Sequence, residues 1–171
     1  MSGFAQVSVI VMITRLLEKK KRKAHHYWPD TEGEESPGPV MALEGGSRVE
    51  FLTTEDHGSF CLRRFSLWLP DGGIREVVQL HTEEWPDLEA PEDPRWPGVQ
   101  GSLPPRLLLD MVEKSHSLAE ASKGTMMPET TDAPGGMLVH CSAGVGRTGT
   151  FLTLYKLWLD FNNPKERIVL V

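Results

Sequence analysis

Cysteine is scarce: the 171 residues contain two, Cys61 and Cys141. A disulfide framework is thereby excluded, and a reducing compartment is the simpler expectation. Long apolar runs are missing as well. The longest, Val7 to Ile13, is interrupted by Ser8 and followed by Arg15, far short of the roughly 20 apolar residues that cross a bilayer. A secretory leader carries its basic region before its apolar core, whereas here the basic run Lys19 to Lys23 comes after it. Positive charge is not in surplus: the net charge is −6, so nucleic acid is not an expected partner. The 16 Gly and 13 Pro stop short of the roughly 25–30% combined share that marks low complexity. No repeat of fixed period is present. What remains is a chain of single-domain length with enough apolar residues for a core.

Val7 to Thr14, rich in Val and Ile, reads as a buried strand. Leu16 to Lys23 reads as a solvated surface segment, with an anion-attracting patch or a nuclear import signal as sharper alternatives. Asp30 to Pro39 reads as a loop, and Arg48 to Thr53 alternates enough for a strand. Phe60, Leu62, Phe65, Leu67 and Leu69 recur mostly at alternate positions, Asp71-Gly72-Gly73 marks a turn, and Arg75 to His81 continues with Val77, Val78 and Leu80. Together they predict a hairpin. Glu83 to Pro105, with six prolines, predicts a long loop of functional character. Leu107 to Leu118 has helical spacing, Ser122 to Gly136 reads as a loop, and Met137 to Val139 as a short buried strand. Thr148 to Phe161 predicts an amphipathic helix. Ile168 to Val171 has the composition of a strand. The order of elements implies an α/β (α+β) fold, a mixed sheet flanked by helices.

The stretch His140-Cys141-Ser142-Ala143-Gly144-Val145-Gly146-Arg147-Thr148 lies between the short strand and the last helix. Five residues between Cys141 and Arg147 can curl into a nest of inward-pointing amides. Gly144 and Gly146 permit positive φ and close approach of a ligand. The helix N-terminus adds partial positive charge. Such a cradle suits a dianion, most simply phosphate. The same field lowers the pKa of Cys141 and makes it a thiolate nucleophile. Arg147 can hold two phosphoryl oxygens bidentately, and the Thr148 hydroxyl can steady the sulfur when it leaves. A nucleotide-binding P-loop is excluded, because the pattern requires a Lys that is missing here.

His140 to Thr148 resembles the signature loop of the cysteine-dependent protein tyrosine phosphatases. Val9 to Thr14, Glu18, Lys23 and Tyr27-Trp28-Pro29 are similar to a block of the phosphotyrosine-specific branch. Arg75-Glu76-Val77, Gln79, His81 and Trp85-Pro86-Asp87 are similar to the block that ends in its mobile acid loop. The resemblance implies that Cys141 attacks phosphorus to form a phosphocysteine intermediate and that Arg147 binds the phosphoryl group. It implies Asp87 as the acid for the leaving tyrosine and then the base for water. Glu18 would hold Arg147, Lys23 would lie near the acid loop, and His140 would help to keep the thiolate. Ser142, Ala143, Gly144, Val145 and Gly146 would line the substrate with Arg147. A second Trp-Pro-Asp ends at Asp30. Asp87 is preferred because His81 precedes it at the family spacing, and Asp30 is expected at the solvated surface.

Cys61 is expected in core packing, and His25, His26, His57 and His116 at the surface, with no metal and no cofactor implied. The absence of Lys inside the loop favours phosphotyrosine proteins over phosphoinositides as substrates. Three departures accompany the resemblance. Leu88-Glu89-Ala90-Pro91 replaces an aromatic or His followed by Gly-Val-Pro. A substrate-stacking Tyr is missing upstream, and a water-positioning Gln is missing downstream. Residues 1–171 are therefore expected to be a single partial catalytic domain, incomplete at both ends. The expected function is phosphotyrosine hydrolysis. The alternative is an impaired phosphotyrosine-binding module or an inactive truncated copy. The expected location is cytoplasmic, free or as the intracellular part of a larger membrane-associated protein.

Overall fold

A computed structural model describes residues 7–31, 38–85, 105–123 and 136–162. Asp87 and Ile168 to Val171 lie outside the described residues, as does most of Glu83 to Pro105 and of Ser122 to Gly136. The elements are β1 (Val7–Ile13), β2 (Leu17–Glu18), β3 (Lys21–Arg22), β4 (Val40–Ala42), β5 (Arg48–Asp56), β6 (Cys61–Trp68), β7 (Ile74–Thr82), α1 (Pro105–Lys123), β8 (Gly136–His140) and α2 (Gly146–Asn162). A single 3-10 turn spans Glu44–Gly46.

Six strands form one mixed sheet in the order β4-β5-β6-β7-β1-β8. β1 runs parallel to both β7 and β8, and the remaining pairs are antiparallel. Parallel strands are covered on both faces, which explains the near-continuous apolar sequence of β1, broken only by Ser8. Val9, Val11 and Ile13 face α1, in a core with Leu62, Val78, Leu80, Leu108, Met111 and Phe151. Met12 faces the other way, with Trp28 and Phe65. Each of these fully buried aliphatic side chains contributes roughly 1.5–3 kcal/mol relative to exposure. The predicted hairpin forms between β6 and β7. Gly72 takes φ 88° at its turn, and Asp71 Oδ1 accepts from the Gly73 amide at 2.9 Å, the local bond that favours Asp in turns.

The expected α/β architecture is present: a mixed sheet with two helices. Four expectations need correction. Leu16 to Lys23 is not plain surface coil, because β2 and β3 pair as a small antiparallel hairpin. Asp30 is buried rather than solvated: the Trp28 Nε1–H donates to its Oδ2 at 3.1 Å, and His26 Nε2 lies 3.0 Å from the same oxygen. His26 and His116 are not free surface groups: the His26 side chain is only 10% exposed, and His116 Nδ1 bonds the Tyr155 hydroxyl at 2.9 Å. Finally, α2 is not amphipathic in the simple sense. Phe151 is buried, but Leu152, Leu157 and Phe161 are 48%, 61% and 86% exposed, because apolar residues occur all round the helix.

Candidate active site

Parallel strands end at one edge of a sheet, and that edge is where open α/β folds bind ligands. Met12 pairs with His81 of β7 and with His140 of β8. Thr14, the segment after Thr82, and Cys141 therefore emerge side by side. Cys141 follows β8 and is 7% exposed. The chain then curls through Ser142, Ala143, Gly144 and Val145, all exposed, into α2. Gly144 takes φ 72°, a conformation that glycine adopts without strain. Gly146 does not share it. It opens α2 with ordinary φ, so only one of the two glycines expected to need left-handed freedom uses it.

Burial pushes the Cys141 thiol up, but hydrogen bonds from the Thr148 side chain and from the Thr148 and Gly144 amides, with the Arg147 charge, outweigh it. The net pKa is lowered. Thr148 Oγ1 is buried with no partner in the hydrogen-bond geometry of the described residues. Cys61 contrasts with this: burial raises its pKa, as expected of a half-buried packing residue in a strand.

The Arg147 guanidinium is held on several sides. Nη1 donates to Glu18 Oε1 at 2.8 Å and to the Trp85 carbonyl at 2.7 Å. Nη2 donates to Thr14 Oγ1 at 3.2 Å. The Arg147 and Glu18 side chains are 4% and 8% exposed, so the ion pair is screened little by salt. Fixing the fork in advance lowers the ordering cost of bidentate oxyanion binding.

A second polar network lies on the opposite face of the sheet. Arg63 Nη1 donates to Gln79 Oε1 at 3.1 Å, and Gln79 Nε2 donates to the Tyr27 hydroxyl at 3.1 Å. The Tyr27 hydroxyl meets His140 Nε2 at 2.6 Å, and His140 Nδ1 meets the Cys141 carbonyl at 3.1 Å. Burial raises the Tyr27 pKa against the opposing influence of Gln79 and Arg63, and the Cys141 carbonyl can only accept. That assigns the His140 proton to Nδ1, which donates to Cys141 O. Arg63 Nη1 also meets His81 Nδ1 at 3.2 Å, and His81 Nε2 donates to the Thr14 carbonyl at 2.9 Å. Through Thr14 this network reaches Arg147.

The family profile described as protein-tyrosine phosphatase matches residues 4–170. The chain belongs to the protein-tyrosine phosphatase family. It is 34% identical over 146 residues to tyrosine-protein phosphatase corkscrew of Drosophila virilis, covering 85% of this chain and 16% of that protein. It is 37% identical over 152 residues to receptor-type tyrosine-protein phosphatase zeta of Rattus norvegicus, covering 86% of this chain and 6% of that protein. With receptor-type tyrosine-protein phosphatase V of Rattus norvegicus it shares 33% over 161 residues, 94% of this chain and 8% of that protein. The chain thus spans a small part of the length of these relatives.

Of the residues that the phosphatase resemblance nominated, the structure brings together Cys141, Arg147, Thr148, His140 and Glu18. Ser142, Ala143, Gly144, Val145 and Gly146 form the exposed rim. Lys23 follows β3, its amide donating to the Leu16 carbonyl at 2.8 Å. Asp87 lies outside the described residues. Sequence reasoning missed Thr14, Gln79, Arg63 and the Tyr27–His140 contact. Period-2 alternation could have found three of them: Thr14 shares a face with Met12, Gln79 with His81, and Arg63 with Phe65.

Proposed function

We propose that this chain hydrolyses phosphotyrosine in proteins through a cysteinyl-phosphate intermediate, and that residues 1–171 form part of a single phosphatase catalytic domain. The observation that carries this is a thiol of lowered pKa beside a guanidinium locked by a buried carboxylate, at the mouth of a glycine-bent loop. In this reading Cys141 Sγ attacks phosphorus while Arg147 holds two non-bridging oxygens. The electron pair of the P–O bond passes to the tyrosine oxygen, and Asp87 supplies the proton. Phenolate leaves poorly without one, since its conjugate acid has a pKa of about 10. Asp87 then accepts a proton from water, water oxygen bonds to phosphorus, and the P–S bond breaks. The departing thiolate is steadied by the Thr148 hydroxyl. Two residues of chain reach about 7 Å, which tethers Asp87 to Trp85, whose carbonyl is bonded to Arg147.

Phosphotyrosine proteins are the proposed partners, and the cytoplasmic side of a membrane or the cytoplasm is the proposed location. No described helix is long and apolar enough to cross a membrane.

Rapid-mixing hydrolysis of para-nitrophenyl phosphate, with wild type beside Cys141→Ser, tests the proposal. A burst that requires Cys141 is expected. A general acid typically contributes about 10²–10⁴-fold, so Asp87→Ala should slow a phosphotyrosine peptide by that order and the activated ester by less. A folded chain with no Cys141-dependent turnover would refute hydrolysis and leave phosphotyrosine binding.

A further inference from the structure

The hairpin that joins the cradle carries five consecutive cations, Lys19, Lys20, Lys21, Arg22 and Lys23, in a chain of net charge −6. Leu17 pairs with Arg22 and Glu18 with Lys21, so Lys19 and Lys20 alone make the turn. Their φ values are 49° and 64°, and they are the only non-glycine residues with positive φ among the described residues. Two-residue turns of this hand favour Asn-Gly, because a Cβ in the left-handed region crowds the neighbouring carbonyl. Two lysines occupy positions that local preference reserves for other residues. Such strain clusters at functional sites.

The hairpin's place gives the strain a purpose. Glu18 reaches Arg147 at 2.8 Å, which fixes β2 to the base of the cradle. Directly opposite residues of an antiparallel pair turn to the same face, so Lys21 stands on the face that Glu18 turns to Arg147. Lys19, Lys20, Lys21 and Arg22 are all exposed. The rim itself, Ser142 to Val145, contributes no charged side chain, and the Arg147 charge is countered by Glu18. Among the described residues, the hairpin brings a run of exposed cations to the strand that holds Arg147.

We infer that the β2–β3 hairpin is a substrate-recognition element that selects phosphotyrosine peptides with acidic residues flanking the phosphotyrosine. This rests on the phosphatase reading above. Exposed ion pairs are worth about 0.2–1 kcal/mol each, or roughly 1.4- to 5-fold in affinity at 1.4 kcal/mol per tenfold. Two or three such pairs give a preference of about tenfold, reduced at high salt as screening shortens.

The test compares kcat/KM for two phosphotyrosine peptides, one with Asp and Glu flanks and one with Asn and Gln, in wild type and in the double variant Lys19→Asn/Lys20→Gly. That variant removes two charges with residues the turn prefers, so its melting temperature should not fall. Wild type should favour the acidic peptide about tenfold at low salt. The variant should lose at least about half of that preference on the same scale while hydrolysing para-nitrophenyl phosphate at an unchanged rate. Equal preference in both proteins would overturn the inference. So would binding of anionic phosphatidylserine vesicles that needs the lysines, without any peptide preference, since it makes the hairpin a membrane element. Absence of para-nitrophenyl phosphate turnover is a failure of the phosphatase reading instead. The peptide comparison is then made by fluorescence anisotropy with Cys141→Ser protein, with and without the turn substitutions.

Discussion

Acidification should destabilise this fold through one residue, His81, by an amount the structure supplies. His81 is 5% exposed. Burial lowers its pKa to about 4, with Arg63, His140 and His26 acting in the same direction and the Thr14 carbonyl opposing them. Glu83 Oε1, 3.8 Å away and largely exposed, adds an opposing carboxylate. In the unfolded chain His titrates near 6.5. Between these values the unfolded state binds a proton that the native state does not, so stability rises with pH across the window. The contribution is intact above pH ~6.5 and is lost progressively as pH falls toward the folded value. At about pH 5 the loss is roughly 1.5 units at 1.36 kcal/mol each, or about 2 kcal/mol. Urea unfolding at about pH 7 and pH 5, wild type beside His81→Gln, measures it. Glutamine can donate to the Thr14 carbonyl and accept from Arg63, so the variant keeps the bonds and loses the titration. Wild type should lose about 2 kcal/mol more than the variant on acidification. Equal losses would refute the reasoning. Should the variant fail to fold, the His81 ring resonances decide, because a midpoint near 6.5 in the folded wild type is incompatible with it.

Tyr27→Phe removes the hydroxyl between Gln79 and His140, and the groups left unpaired should cost about 1–3 kcal/mol in denaturant unfolding. It also frees the His140 tautomer, so the Cys141 alkylation profile should move to higher pH, and an unmoved profile would exclude His140 from thiolate control. Glu18→Ala leaves the Arg147 charge buried without its carboxylate, at a cost of about 3–5 kcal/mol, and vanadate inhibition should weaken with it. Glu18→Gln, which keeps an acceptor for Arg147, should recover most of the stability.

Legibility in the sequence followed the strength of the periodic signal. β6, β7 and α1 are readable because their apolar residues recur at spacings of two or of three to four, and β1 and α2 because their apolar content is dense over seven residues or more. β2 and β3, with two residues each, are too short for any period to register. β4 is three residues long and pairs only at the edge of the sheet, where packing demands least of its sequence. Asp30 shows that acidity alone does not imply exposure. Its carboxylate is instead covered by Trp28, two residues before it, and His26, four before it.

The site divided along a different line. Cys141, Gly144, Arg147 and Thr148 lie within eight residues of chain, so their chemistry was visible as a motif. Thr14, Trp85, Arg63 and Gln79 act across 62 to 133 residues or across strands, and only register brings them in. That register is what ties the two networks to one another. β1 lies between β7 and β8 and presents its apolar side to α1 and its other side to Trp28 and Phe65. A slip of one residue between β1 and either neighbour exchanges the two faces. A slipped β1 would turn Met12 and Thr14 to the helix side and withdraw Thr14 from Arg147. Hydrophobic burial on the helix side therefore fixes the position of the polar network on the other. The core that stabilises the sheet thereby aligns Cys141 with Arg147.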